Sequence, residues 1–584
     1  MIRILTIIFT AAAAVLSSFF NNDVYHRYTS LTEVIETYFG SADEGHCAPA
    51  EEAEKVVTQE EEQEEQDEKR LLVFETTDLH GYLFDASAGD PERFQYRLAY
   101  IANEINKARN SDEYDDVILL DGGDIYQGTP FSSLTGGAPM RLALETIGYD
   151  AVALGNHEFD WDVQEYAADR EGTLPPYEVG EYFGDPDIPV LACNLYEADT
   201  MERVSFTQDY LIIERAGIKT AVIGYIPDYS STILQEKIEP YYIEEDLSKL
   251  NALAGTVIEE EDPDATIILV HGDPVSVAEA MDPELVDLVV GGHTHKSNIG
   301  RADNGISFIE GYCYGQGYAT AVLVIGAEGN VRIEDIGYTS IVENRFRLYD
   351  MEVNTELLDS EIMDISHAAW DAIHEEMGEV LGYVATSVKK RQTGDSPSTI
   401  IGNWFTDLEL RATEKYGTVA AFYNSGGIRA QFKIQGNNKT RDITVYDIYS
   451  MAPFGNSLLI YDITGSELAK LIADGLKDSD YGDQVSGLTF TYTENAPNEP
   501  VILNITLDDG TDVDLSDSDT LYRVCVSEYS ATYPGSVFQD KEPVIPPADS
   551  PIDNESFIEV LREEAAENEG FLYIDMRVRG TKIL

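Results

Sequence analysis

The sequence predicts an α/β protein of two domains behind an N-terminal extension, and three observations carry that prediction. Short runs rich in Val, Ile and Leu recur between Leu71 and about Tyr338 and end in glycine or polar residues: LLVFETT, VILLDGG, AVALGN, VLACN, TAVIGY, TIILVHG and LVVGGH. Stretches long enough for helices separate many of them, such as Arg93 to Asn110, which is the pattern of strands alternating with helices. The 584 residues exceed what a single hydrophobic core holds.

In chain order, Arg3 precedes an apolar stretch from Ile4 to Leu16, then Ser17 and Ser18. Residues 1–20 thus read as a secretory signal peptide or, because the apolar run continues through Phe19 and Phe20, as an uncleaved N-terminal anchor. The protein is accordingly expected to be exported: extracellular, cell-surface or periplasmic. Residues 51–68 hold ten acidic side chains, so residues 21–70 read as an acidic, solvated spacer too repulsive to fold. A first domain is expected over 71–345. The spacing of Leu358, Ile362, Ile365, Ala369, Ile373, Met377 and Val380 is three and four. That predicts an amphipathic linking helix within 346–382, followed by a second α/β domain over 383–584.

With 38 basic and 108 acidic residues, the formal charge is −70. Such a surface repels nucleic-acid polymers and anionic membranes, leaving the N-terminal segment as the membrane contact to consider. An anionic substrate would need a strong local positive charge. The four cysteines, Cys47, Cys193, Cys313 and Cys525, show no zinc spacing and read as small hydrophobes.

Five of the nine histidines directly follow the apolar runs: His80 in DLHG, His157 in GNHEFD, His271 in VHGD, and His293 and His295 in GGHTH. Asp78, Asp124 and Asn156 sit in equivalent places. Strand carboxyl ends are where α/β sheets build their sites. Any one of these residues alone is weak evidence; a core histidine or a helix-capping Asp is the ordinary explanation. Their joint recurrence at strand ends is not something core packing produces. The donors are Asp, Asn and His without thiolate, which suits Mn, Zn, Mg, Co or Fe. They are too many for one tetrahedral ion. Two metals sharing a bridging Asp would use them all and would perform hydrolysis by generating hydroxide and clamping substrate oxygens.

DLHG, GGD, GNHEFD, a strand-end His and GGHTH together resemble the calcineurin-like metallophosphatases. Within them, the chain resembles the bacterial 5′-nucleotidase branch, which includes UDP-sugar hydrolases and 2′,3′-cyclic-nucleotide phosphodiesterases. The resemblance covers roughly residues 71–584. It implies a four-layer α/β/β/α sandwich followed by an α/β substrate-binding domain. It assigns Asp78, His80 and His295 to one divalent metal and Asn156, His271 and His293 to the other, with Asp124 bridging. His157 and Asp160 would form the catalytic dyad, and a metal-bridging hydroxide would attack phosphorus in a nucleoside 5′-monophosphate. The third motif departs from the pattern: His271 is followed directly by Gly272 instead of His, any residue, Gly.

In the second domain, YNSGGIRAQ presents Asn424 and Arg429 on a glycine-rich turn, and MAPFGN presents Phe454. A surface turn and a core aromatic are the bland readings. The resemblance makes Asn424 and Arg429 substrate ligands and Phe454 one side of a base sandwich, with Phe538 of YPGSVF as the other. That segment lacks the Asp which commonly contacts ribose. Arg391 and Asn403 are further candidates for substrate contact. The expected substrate is a small nucleotide, with a 2′,3′-cyclic ester or a UDP-sugar as the alternative. Two metals and Arg429 would supply the local positive charge, since salt screens more distant charges beyond about 10 Å at 0.1 M.

Overall fold

The computed structural model describes residues 68–86, 91–160, 188–327, 329–341, 353–389, 397–434, 438–477, 483–533 and 535–583, with the strand pair Thr173–Leu174 and Tyr177–Glu178. The N-terminal segment, most of the acidic spacer, Cys47 and Arg391 lie outside the described residues.

The apolar runs form two six-stranded sheets. In the first, Lys69–Thr76, Asp116–Asp121, Ala151–Ala153 and Val190–Leu191 run parallel. Gly317–Ile325 and then Val331–Ser340 extend that sheet antiparallel on the other side of Lys69–Thr76. In the second, Ile218–Tyr225, Ala265–Val270, Leu288–Val290 and Ser307–Ile309 are parallel, with Tyr210–Arg215 and Gly300–Arg301 antiparallel at the edges.

Side-chain alternation along each strand builds three layers of packing. Leu71, Val73, Ile118 and Leu120 meet Val222, Ile267, Leu269 and Val290 between the sheets. Leu72, Phe74, Val117 and Leu119 point the other way, onto helices Arg97–Arg109 and Ala138–Ile147. Ile223, Ile268 and Val289 pack on helices Leu247–Glu261 and Pro274–Ala280. This is the predicted α/β/β/α sandwich, and it explains the near-continuous apolar runs: both faces of each sheet are covered.

The linking helix is Ser360–Met377, capped by the Asp359 side chain on the amides of Glu361 and Ile362. It is shorter than the apolar spacing predicts. Leu358 precedes the cap, the chain leaves the helix at Gly378, and Val380 opens the strand Val380–Val384. One face of the helix, including Ile362, Ala369 and Ile373, joins the core shared with Ile101, Ile105 and Leu144 of the first domain.

In the second domain a four-stranded sheet runs Leu458–Thr464, Leu521–Ser527, Ala420–Tyr423, Gln484–Ser486. Helix Ile400–Thr413 and helix Asp553–Glu567 pack together, with Phe405 against Phe557 at 4.8 Å between ring centroids. Among the described residues, Cys193, Cys313 and Cys525 are free thiols and no helix is long and apolar enough to cross a membrane.

Candidate metal centre and interdomain cleft

The predicted ligands converge at the carboxyl ends of strands from both sheets. Asp78 and His80 follow Lys69–Thr76, Asp124 follows Asp116–Asp121, and Asn156 follows Ala151–Ala153. His271 follows Ala265–Val270, and His293 and His295 follow Leu288–Val290. The double glycines let the strand ends approach. A Cβ on Gly122 would lie 2.5 Å from the Gly291 carbonyl, and one on Gly292 would lie 2.7 Å from the Gly122 carbonyl.

The ligands form two groups: Asp78, His80 and His295, and Asp124, His271 and His293, each with donor atoms within 4.8 Å of one another. Asp124 Oδ2 lies 3.2 Å from His271 Nε2 and 3.8 Å from His80 Nε2, so it stands between the groups as a bridging carboxylate would. Asn156 Oδ1 lies 2.9 Å from His293 Nδ1 and 3.1 Å from His271 Nε2. Asp78, His80, Asp124, His293 and His295 all adopt positive φ, a conformation that costs non-glycine residues energy and collects at functional sites.

The donor chemistry fits cations. His80 Nδ1 is 2.9 Å from the Gln127 carbonyl, and His271 Nδ1 is 2.7 Å from that of Gly122. A carbonyl only accepts, so each Nδ1 carries a proton and each Nε2 is turned inward, as a lone pair whenever the ring is neutral. His80 Nε2 then faces His295 Nε2 at 3.2 Å, and His271 Nε2 faces a carboxylate and an amide oxygen. Asp78 Oδ1 is fully buried, 3.2 Å from His295 Nε2, and accepts no properly directed hydrogen bond. Lone pairs aimed at lone pairs in a buried pocket call for positive charge between them. Protons supply part of it: burial would lower the pKa of His271, but the Asp124 and Asp78 carboxylates outweigh burial and hold it up at about 10.

Residues that the motif reading did not single out hold this arrangement. Glu158, beside the ligand Asn156, accepts hydrogen bonds from the amides of Asp124, Ile125 and Gly155 at 2.8–3.0 Å. It ties the bridging carboxylate's loop to the Asn156 loop. Glu310 accepts from the Thr294 amide and hydroxyl and so fixes the turn between His293 and His295. Tyr229 stacks on His293 with 3.8 Å between ring centroids. Of these, only Glu158 has a sequence signal, an acid inside GNHEFD.

His157 lies beside the ligands. Its amide donates to Asp124 Oδ1 at 2.8 Å, and its Nδ1 lies 2.7 Å from Asp160 Oδ2. Burial opposes protonation of the ring, but the Asp160 and Asp124 carboxylates outweigh it and raise the pKa. An imidazole whose protonated form is favoured in this way, adjoining the ligands, suits stabilisation of negative charge on a phosphoryl group.

The second domain closes over this centre. Arg429 Nη2 reaches within 3.2 Å of His80 Nε2, and Phe454 lies 5.5 Å from the His157 ring. Asn156, His157, Asp160 and His293 from one domain and Asn424, Arg429, Phe454 and Tyr529 from the other line a cavity of about 240 Å³. Asn424 and Tyr529 also line an adjoining chamber of about 600 Å³, with Tyr533 and Lys470. Tyr529 Oη donates to the Ser231 carbonyl across the cleft at 2.9 Å.

Two expectations are corrected. Phe538 does not reach the cleft; it is 2% exposed and packs on Tyr461 at 4.6 Å in the second domain's core. The aromatics that face the cleft here are Tyr533 of that segment and Tyr529 of the preceding helix Glu528–Thr532. Asn403 is buried on helix Ile400–Thr413 and donates to the Arg577 carbonyl at 2.8 Å, so its role is structural.

Comparison with known proteins agrees with this geometry. The family model for calcineurin-like phosphoesterase matches residues 71–297, and that for the 5′-nucleotidase C-terminal domain matches residues 377–539. Together they span more than half of the chain. Trifunctional nucleotide phosphoesterase protein YfkN of Bacillus subtilis (strain 168) is 25% identical over 493 residues, covering 79% of this chain and 31% of that protein. A 5′-nucleotidase of Vibrio vulnificus (strain CMCP6) is 25% identical over 469 residues, covering 72% of this chain and 79% of that one. The crystal structure of a 5′-nucleotidase precursor from Thermus thermophilus shares the fold, with a TM-score of 0.68 at 19% identity over 88% of this chain and 99% of that one. The chain spans less than a third of the length of the Bacillus relative. With both domain types present in order and the two Asp/His groups assembled, the chain belongs to the 5′-nucleotidase family: a calcineurin-like phosphoesterase domain followed by a C-terminal 5′-nucleotidase domain.

Proposed function

We propose that this protein hydrolyses nucleoside 5′-monophosphates and related nucleotides to nucleoside and phosphate. One observation carries the reading: Asn424, Arg429 and Phe454 line the same cavity as Asn156, His157 and His293. The first three suit a phosphate and a base, and the last three adjoin the metal groups. Two divalent ions (Mn, Zn, Mg, Co or Fe) held by the seven ligands would supply Lewis acidity and an activated water. Arg429 orients the phosphate through its guanidinium fork. His157, oriented by Asp160, stabilises charge that grows on the phosphoryl oxygens. Phe454 offers an apolar face to the nucleoside.

A 2′,3′-cyclic nucleotide or a UDP-sugar is the second reading. The segment Tyr533–Phe538 lacks an acid for ribose, and the adjoining chamber has room for a larger leaving group. We also read residues 1–20 as an export signal or anchor, placing the enzyme outside the cytoplasm. The −70 charge argues against polymeric nucleic acid as substrate.

The test is chromatography of the products (nucleoside, nucleoside monophosphate, sugar phosphate and phosphate) formed by the metal-stripped full chain with Mn²⁺ restored. AMP, 2′,3′-cyclic AMP and UDP-glucose are the substrates, and Asp124→Ala is the control. Metal-dependent AMP hydrolysis lost in the variant supports the first reading. Preference for the cyclic ester or the UDP-sugar replaces it with the second. No hydrolysis of any of them by folded, metal-loaded protein overturns both.

A further inference from the structure

A second cavity, of about 530 Å³, lies where the linking helix gives way to the second domain. Its lining comes from three parts of the molecule: Arg93 of the first domain, Trp370 and Met377 of the linking helix, and Lys433, Lys439 and Arg441 of the second domain. Trp370, Met377 and the neighbouring Tyr446 are buried and apolar. Four cations line the cavity against two acids, Asp442 and Asp447, and Asp447 is already paired with Arg441 Nη2 at 2.7 Å. In a chain with 108 acidic residues against 38 basic ones, a cavity with excess positive charge is a marked local reversal. Arg441 adds a second observation. Its guanidinium is pinned over the Phe432 ring at 4.7 Å, and Nη1 is a buried donor without an acceptor. A donor of that kind is free to take a water or an anion.

We infer that this cavity is an anion site, distinct from the metal centre, which takes a phosphate-bearing small molecule: the phosphate on the cationic rim, and any aromatic portion against the Trp370 and Tyr446 floor. The position gives the site a consequence. The linking helix is docked on the first domain, while Arg441–Thr444 pairs with Val380–Val384 just after the helix ends. A ligand touching Arg93, Trp370 and Lys433 together would bridge the two domains that also build the cleft.

The test uses the full chain, stripped of metal, in a Trp161→Phe background so that the tryptophan next in sequence to Asp160 does not report cleft binding. Trp370 emission is followed while AMP, inorganic phosphate or adenosine is added. The expected result is saturable quenching by AMP, lost in Trp370→Phe and weakened at least tenfold in Lys433→Ala/Lys439→Ala. Arg441 is left intact because it pairs with Asp447. Phosphate binding as tightly as AMP would identify a plain phosphate site; AMP binding at least tenfold tighter would show that the aromatic floor takes part. The inference is overturned if neither anion gives a saturable response, if adenosine matches AMP, or if the double lysine variant, folded by circular dichroism, binds as the parent does.

Discussion

Arg429 Nη2 stands 3.2 Å from His80 Nε2, although the two residues are 349 positions apart and belong to different domains. One guanidinium thus faces the metal-binding edge of the other domain, where a bound phosphate's outer oxygens would sit. Arg429→Met should lower kcat/KM for AMP roughly 10- to 100-fold, the range for losing a hydrogen bond to a charged group (about 1.5–3 kcal/mol). Metal content by elemental analysis should stay at parent level. An unchanged kcat/KM would remove Arg429 from substrate recognition.

Glu158 is not among the seven candidate ligands, yet it accepts three backbone amides around Asp124. Glu158→Gln turns an NH₂ toward at least one of those donors and should loosen the loop. Metal affinity is expected to fall about 10- to 100-fold, as for other outer partners of metal ligands, with activity regained at high Mn²⁺. Asp124→Ala should not be rescued by metal. Identical metal titrations for Glu158→Gln and the parent would show that the loop holds its shape unaided.

The two aromatic candidates should separate cleanly. Phe454 lines the cleft, so Phe454→Ala should raise KM for AMP while leaving the Tm nearly unchanged. Phe538 fills a core, so Phe538→Ala should cost about 3–5 kcal/mol of stability and leave KM alone in the fraction that stays folded. The opposite pattern would restore Phe538 to the binding site.

Tyr529→Phe keeps the ring and removes only the hydrogen bond to the Ser231 carbonyl. A loss of about 1 kcal/mol from the closed arrangement predicts a change of roughly fivefold in KM. Hydrogen exchange around residues 229–234 should rise in parallel. No change in either readout would make the contact incidental.

Asp553 offers a pH test in the second domain. It is wholly buried, and burial pushes its carboxyl up to about 7, with hydrogen bonds from the Asn554 amide and Tyr423 only partly offsetting this. Its ordinary value is near 4. The native state therefore holds a proton that the unfolded chain releases between about pH 4 and 7. That stabilisation is present below about pH 4 and is lost as pH rises through about 7. Asp553→Asn, which keeps the shape, should flatten this dependence and raise the Tm at about pH 8 relative to the parent. Parallel Tm curves for the two proteins would refute the assignment.

The sandwich and the convergence of the seven candidate ligands could be read from sequence because each candidate is attached to a local signal. An apolar strand ends, glycines permit the turn, and the ligand follows within a few residues. What sequence leaves open depends on distant packing. Phe538 and Tyr533 are aromatics of one segment; only the position of Tyr461 decides that the first turns into the core. Asn403 has a partner 174 positions away. Val380 continues the helical spacing by coincidence of number, since the chain leaves the helix at Gly378 and Val380 starts a strand. Glu158 is visible in the sequence but indistinguishable there from an exposed acid, because its three amide partners come from two separate loops.

Each ligand group draws from both sheets: Asp78 and His80 with His295, and Asp124 with His271 and His293. The packing between the sheets is mainly apolar, with the Arg301 side chain donating to the Ile333 carbonyl from one sheet to the other, and the three described cysteines are unpaired. The bound ions would therefore act as rivets through one end of the sandwich. Ion loading and folding stability become one linked quantity, and a chelator should let the two sheets part from that end, like a book whose clasp has been undone.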